Sequence, residues 1–177
     1  FSDYSDYQAA ESDPITLTAN TRNPGNAEVK GFELAAQFKV SEQLTLGFSG
    51  NVTDAEFTEV SLDPAKVLVG DPLPNVAEYS YTFNADYEFN ISSSVNGFAQ
   101  LDYNRQGPSS LVDQTEIFTF YEAIEESDPT GKLNAHIGAQ WDALTLKLFG
   151  HNLNNELRPS YPQVGSFGQG RPRTLGI

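Results

Sequence analysis

Apolar and polar residues alternate with a period of two over long stretches of this chain, and short turns and long acidic connections take turns in joining those stretches. Over 31–40, Phe32, Leu34, Ala36, Phe38 and Val40 share one face while Glu33, Gln37 and Lys39 take the other. After a tight Ser41-Glu42-Gln43 turn, Leu44, Leu46 and Phe48 oppose Thr45, Ser49 and Asn51. A period of two is the geometry of a β-strand, whose successive side chains point to opposite faces. Long alternating strands need two unlike surroundings, and lipid on one side with water on the other supplies them. The pattern therefore predicts an all-β chain folded as the antiparallel wall of a transmembrane β-barrel.

Composition fits that wall. Only 38% of the 177 residues are hydrophobic, which is low for a chain that must bury a conventional core but enough for a wall that needs apolar residues at alternate positions. No window approaches the roughly 18 consecutive apolar residues of a membrane helix, and the negative mean hydropathy does not argue against strands. With 24 acidic and 10 basic residues the net charge is −14, which disfavours an extended nucleic-acid surface. There is no Cys, hence no disulfide framework and no thiol chemistry. The absence of Met and of a charged-then-apolar leader reads as an internal piece of a longer precursor.

Seven strands and the beginning of an eighth are expected. They run over about 1–10, 26–40, 44–57, 79–90, 95–104, 132–141, 144–153 and 171–177. The fourth is the clearest: Tyr79, Tyr81, Phe83, Ala85, Tyr87 and Phe89 alternate with Ser80, Thr82, Asn84, Asp86, Glu88 and Asn90. Connections at 11–25, 58–75, 106–131 and 154–170 carry the turn signals Asp13-Pro14, Asn23-Pro24-Gly25, Asp63-Pro64 and Gly70-Asp71-Pro72. Prolines at 72 and 74 are expected to keep 58–75 out of any paired strand. Within 106–131 the run Ile117-Phe118-Thr119-Phe120-Tyr121 fits a strand extension and a packed loop equally well.

Barrels of the outer membrane have short periplasmic turns and long outer loops. The ends near 42, 92 and 143 are thus expected to be periplasmic, and the connections near 18, 66, 118 and 162 extracellular. Tyr87, Phe89 and Trp141 fall beside the short turns and Tyr79, Tyr81 and Tyr103 toward the other ends, as interfacial aromatic girdles require. A soluble β-sandwich would hide the same faces against a second sheet, but its strands usually have about five or six residues.

Five segments carry a resemblance when read in order. They are Asn23-Pro24-Gly25-Asn26-Ala27-Glu28-Val29-Lys30-Gly31-Phe32-Glu33, Gly70-Asp71-Pro72-Leu73-Pro74-Asn75, Leu133-Asn134-Ala135-His136-Ile137-Gly138, Asn152-Leu153-Asn154-Asn155-Glu156 and Gly170-Arg171-Pro172-Arg173-Thr174-Leu175-Gly176-Ile177. Together they resemble the C-terminal barrel region of TonB-dependent receptors. The resemblance implies a barrel of about 22 strands around an N-terminal plug, energised by the TonB-ExbB-ExbD system through a TonB box. On that reading 1–177 is the C-terminal portion of the barrel, with the plug, the TonB box and the end of the last strand, usually an aromatic residue, not present. The resemblance also implies the outer membrane of a Gram-negative bacterium, with its lipid, the plug and a small-molecule ligand as partners.

Catalysis has little to stand on. No phosphate-binding Gly loop, nucleophile elbow or His-Glu-x-x-His helix occurs, so no catalytic residue and no cofactor is expected. A two-residue turn at Ala143-Leu144 would set His136 across from His151 beside Asn134 and Lys147, but a metal site needs a third ligand and a second shell. No metal is expected there.

The leading functional reading is energised uptake of a scarce solute: a ferric siderophore, haem, cobalamin or an oligosaccharide. Candidate ligand contacts are the loop aromatics Phe118, Phe120, Tyr121, Tyr161 and Phe167, which suit stacking on flat ligands, although packing within the loops explains them equally well. The acidic loops disfavour capture of a free anion by this part of the wall. The alternatives are a small complete barrel with a structural or passive-pore role, since eight strands can close, and a soluble binding module. The face assignment is directly testable in membranes. Cysteines at 33 and 84 should react with a water-soluble maleimide reaching the interior, and cysteines at 34 and 83 should stay protected by lipid; equal reactivity of the two sets would sink it.

Overall fold

Alternating sequence becomes strand wherever a neighbour supplies hydrogen-bond partners, because every backbone N–H and C=O needs one. The computed structural model describes residues 1–12, 19–60, 68–110, 126–157, 159–163 and 166–177, with the backbone alone for 9–12, 19–20, 22, 24, 159–163 and 166–169. The strands are β1 (Ser2–Ser12), β2 (Ala19–Lys39), β3 (Leu44–Val60), β4 (Tyr79–Ser92), β5 (Val95–Gln106), β6 (Thr130–Trp141), β7 (Leu144–His151), β8 (Pro159–Gln163), β9 (Ser166–Gln169) and β10 (Thr174–Gly176). Eight of them form one antiparallel sheet in the order β1-β2-β3-β4-β5-β6-β7-β10, and β8 and β9 make a separate hairpin. No helix occurs among the described residues. The chain divides into two compact units.

The first unit comprises Phe1–Phe32, Val52–Tyr79 and Gly107–Asp128. Here β2 begins at Ala19 rather than near 26, so pairing with β1 runs from Ser2↔Val29 to Ser12↔Ala19. Asn23-Pro24-Gly25 does not break the ladder. Irregularities between Tyr4 and Tyr7 and between Tyr7 and Ala9 absorb it, with Asp6 at φ 57° and Gly25 at φ 148°. Such bulges bend a strand while keeping its register. Side chains fill the gap: Asn26 Oδ1 accepts the Asp6 N–H at 3.0 Å, and Asn23 Nδ2 donates to Asp6 Oδ1 at 2.6 Å.

β3 also outruns expectation, and the proline-rich segment beside it pairs after all. Leu73 N–H donates to Ala55 C=O at 2.8 Å, Phe57 N–H to Asp71 C=O at 3.0 Å, and Thr53 N–H to Glu78 C=O at 2.8 Å. Pro72 and Pro74 each remove one donor, but the N–H of Leu73 remains for the ladder. On its other side the segment reaches Pro108 and Ser110, whose carbonyls accept the Glu78 and Asn75 N–H groups. This arrangement buries Ala27, Ala55, Phe57 and Leu73, with Tyr7, Val29, Val60 and Val76 packed around them. Tyr7 meets Phe57 edge to face at 5.7 Å. These four are the buried hydrophobics among the described residues, so the fold does not rest on a large internal core.

The second unit comprises Glu33–Asn51, Ser80–Gln106 and Pro129–Ile177. Its hairpins are tight: Val40 and Ser41 N–H both reach Leu44 C=O, and Ser41 Oγ accepts from Gln43 and Leu44. Register is continuous from Ser80↔Gln106 to Asn90↔Asn96, and from Asn96↔Gln140 to Gln106↔Thr130. One apolar row thus reads Tyr87–Ala99–Ile137–Leu148 and the next Phe89–Gly97–Ala139–Leu146. Phe38, Phe83, Leu101, Ile137, Leu144, Leu146 and Leu148 lie open on this face. Val95 to Tyr103 rises about 27 Å along the strand, which at a 40° tilt gives an apolar band about 20 Å tall. A continuous exposed apolar face of that kind marks a surface that lipid or another protein covers.

Glycines on both faces are covered by rings from the facing strand. Phe89 lies over Gly97 and Phe98 over Gly138, each directly opposite its partner, and Phe149 covers Gly176. The covered backbone keeps its bonds out of solvent, as in aromatic rescue of strand glycine. The turn joining β6 to β7 is Asp142-Ala143, with Asp142 at φ 47°. Trp141 therefore faces Leu144, and His136 pairs with Phe149 rather than with His151. An Asp tolerates positive φ where Leu would be strained, and this keeps Leu144 on the apolar face. Within the expected 154–170 loop, Pro159↔Gln169 to Gln163↔Ser166 pair as the β8–β9 hairpin.

Placing a charge at the middle of the apolar band is expected to be costly. Leu101→Arg should destabilise the folded full-length barrel by about 2–4 kcal/mol, while Gln100→Arg on the polar face should change it by under about 1 kcal/mol. Denaturant titration in lipid reads the difference.

Candidate functional site

The polar face of the second unit is a ladder of amides, hydroxyls and carboxylates. Period-two alternation puts Ser80, Thr82, Asn84, Asp86 and Glu88 of β4 beside Gln100, Asp102 and Asn104 of β5, and these beside Lys132, Asn134 and His136 of β6. Direct hydrogen bonds cross the strands. Thr82 Oγ1 donates to Asn104 Oδ1 at 2.8 Å, Asn104 Nδ2 to Asp102 Oδ1 at 3.2 Å, and Asn134 Nδ2 to the same oxygen at 2.7 Å. Asp86 accepts from Gln100 Nε2 at 2.8 Å and from Asn84 Nδ2 at 3.2 Å. Each of these two carboxylates is thus held by two amides and presents the rest of its acceptor capacity to whatever lies against the wall.

The ladder ends at Asn152, which is 4% exposed and sits at φ 52°. Its N–H donates to Asn134 Oδ1 at 2.9 Å, and its Oδ1 accepts the Glu156 N–H at 2.8 Å. Its Nδ2 donates to the carbonyls of Glu156 and Arg171 at 2.9 and 2.8 Å. Asn154 exchanges bonds with Gly131 C=O and Leu133 N–H, and Asn155 Oδ1 accepts from Arg173 N–H. The Asn-Leu-Asn-Asn-Glu motif is therefore a knot that ties β6 and β7 to the segment before β10.

His136 and His151 stand diagonally on the polar face, their rings 5.6 Å apart at 84°, with Phe149 5.1 Å from His151. His136 Nδ1 is buried without a hydrogen-bond partner. No group of three or more metal-ligating side chains occurs among the described residues. A concavity of 1330 Å³ in this unit is lined by Glu42, Asp86, Glu88, Phe98, Gln100 and Lys147 among others. The chemistry on offer is hydrogen bonding and charge.

The expected ligand contacts fare differently. Phe118, Phe120 and Tyr121 lie outside the described residues. Tyr161 and Phe167 fall on the β8–β9 hairpin, opposite Gly168 and Pro162 respectively. Attention to loop aromatics passes over the wall itself. The wall's signal lies in the polar half of each alternating strand, where amides recur at Asn84, Gln100, Asn104 and Asn134.

Known proteins share this fold. Residues 1–155 match the family model described as TonB dependent receptor-like, beta-barrel. No curated protein matches the chain in sequence. The ferric yersiniabactin uptake receptor FyuA from Yersinia pestis is similar in structure, with a TM-score of 0.72 and 18% identity over 98% of this chain and 25% of that one. BauA, the ferric preacinetobactin receptor from Acinetobacter baumannii, gives 0.67 and 15% over 95% and 24%. The siderophore receptor PiuA from Acinetobacter baumannii gives 0.63 and 17% over 98% and 24%. At these identities the likeness is one of fold, and the chain spans about a quarter of each structure.

Asn152 is the residue whose loss should hurt this wall most. Asn152→Asp keeps the acceptor but removes the donor to two carbonyls, and should cost the full-length barrel about 2–4 kcal/mol, since each unsatisfied buried group costs about 1–3. Gel-shift assay of folded barrel against urea measures it.

Proposed function

The chain belongs to the TonB-dependent receptor β-barrel family, and from that premise we propose that it is the C-terminal part of the barrel of an outer-membrane receptor that imports a ferric siderophore into a Gram-negative bacterium. The family is one of receptors and transporters rather than enzymes. The observation that carries the reading is the match over residues 1–155, joined by structural neighbours that are, by name, receptors for ferric yersiniabactin, ferric preacinetobactin and a siderophore.

The two faces of the sheet fit the role. The open apolar band through Phe38, Phe83, Leu101, Ile137 and Leu146 contacts outer-membrane lipid. The amide and carboxylate ladder faces the interior, where an N-terminal plug fills the lumen and is moved through its TonB box by the TonB-ExbB-ExbD system. The chain spans about a quarter of the neighbours' length, which leaves room for both outside this segment. The long connections, including that holding Phe118, Phe120 and Tyr121 and the hairpin holding Tyr161 and Phe167, form the outer rim that recognises the ligand.

Uptake of radiolabelled iron chelates in iron-starved cells tests the proposal. Cells with the full-length receptor should take up at least one ferric siderophore, and a protonophore or loss of TonB should stop uptake while binding persists. Removing 111–125 should weaken binding with the barrel still folded. Uptake that continues without the proton gradient would refute the reading.

A further inference from the structure

Beyond β7 two ladders of backbone hydrogen bonds follow one another, and neither spans the stretch between them. β10 pairs with β7 from Thr174↔His151 to Gly176↔Phe149. β8 pairs with β9 from Pro159↔Gln169 to Gln163↔Ser166, and these two form a sheet of their own. Residues 152–157 on one limb and 170–173 on the other belong to no strand. A two-stranded hairpin standing by itself is marginally stable at best, and Pro159 and Pro162 take away donors that β8 could bring to its ladder. The order of this arm therefore depends on how its open end is held.

Asn152 holds it. Its single Nδ2 donates to the Glu156 C=O on one limb and to the Arg171 C=O on the other, at 2.9 and 2.8 Å, so the limbs stand within two hydrogen-bond lengths of each other there. The first limb is itself fixed to β6: Leu153 N–H donates to Leu133 C=O at 2.7 Å, and Asn154 bonds both Gly131 and Leu133. A second clasp joins the limbs where Asn155 Oδ1 accepts the Arg173 N–H at 3.2 Å. More residues separate His151 from Pro159 than Gln169 from Thr174. Asn152 and Asn155 take up that extra length at φ 52° and 53°, a conformation that Asn tolerates better than most residues.

We infer that Asn152 is the positioning residue of the β8–β9 arm: it closes the arm's neck, and that closure, more than the arm's own pairing, keeps the arm ordered. This goes beyond the receptor reading and does not depend on what is imported. Closing the open end removes chain entropy that a free hairpin would retain. An arm ordered in advance then meets any partner without a further ordering cost.

Hydrogen–deuterium exchange of the full-length protein in detergent, read peptide by peptide, tests the inference. Asn152→Asp keeps the acceptor for the Glu156 N–H and removes the donor to both limbs. In that variant peptides covering 159–169 should exchange about 10 to 100 times faster, while those covering β4 and β5 keep their wild-type rates. Asn154→Ala is the control, because it cuts the first limb from β6 without touching the second, and it should leave 159–169 near wild-type rates. If Asn152→Asp yields no folded barrel on gels, Asn155→Ala opens the second clasp alone and should raise the same rates by less. The paired substitutions Glu156→Cys and Arg171→Cys, in a segment with no Cys of its own, should oxidise to a disulfide that returns the arm of Asn152→Asp to its wild-type rates. Unchanged exchange over 159–169 in Asn152→Asp, or in Asn155→Ala where that replaces it, would overturn the inference. So would an equal rise in Asn154→Ala, cysteines that stay unlinked under oxidant, or a rise that the formed disulfide does not reverse.

Discussion

The ladder of backbone hydrogen bonds between neighbouring strands is what the rest of this structure depends on. With only Ala27, Ala55, Phe57 and Leu73 buried among the described hydrophobics, packing cannot hold the chain together as it does in a soluble domain. A buried backbone group left without a partner costs about 1–3 kcal/mol, so continuity of the ladder outweighs local preference. That ranking explains why Asn23-Pro24-Gly25 is carried through by bulges, and why Leu73 pairs with β3 between two prolines. Local breaker chemistry loses because the alternative is a row of orphaned donors and acceptors.

What is legible in the sequence follows from the same ranking. Alternation identifies both faces and the tight turns near 42 and 92, because period two has only one structural meaning over such lengths. Strand ends are less legible. Gly, Pro and Asn near 25 and 72 signal a turn in isolation, and only a neighbouring strand's unpaired groups reveal that they are spanned. The β6–β7 register differs from expectation by one residue at the turn, since Asp142 rather than Leu144 accepts the positive φ, and that moves His136 from opposite His151 to opposite Phe149. The hairpin at 159–169 escapes sequence reading because two prolines and three glycines in its neighbourhood mask its pairing.

The polar wall shows a similar economy. Asp86 and Asp102 sit among amides that can donate to them without themselves being charged, so the wall stays hydrated and uncommitted where the carboxylates are. Glu88, Lys132 and Lys147 stand exposed on the same face, so charge of both signs is open beside the amide-held pair, and the character of the face is written in residue types at alternate positions.

The Asn152 knot also sets how far a local change is felt. Its bonds reach Asn134 on β6, Glu156 four residues on and Arg171 ahead of β10, so one buried amide joins segments that are otherwise distant in the chain. β10 pairs with β7 over only three residues, and its approach leans on this side chain and on the bond from Arg173 N–H to Asn155. The shortest strand of the sheet is thus the one most dependent on a contact outside its own ladder, and a substitution at position 152 would be read out nineteen residues away, at Arg171.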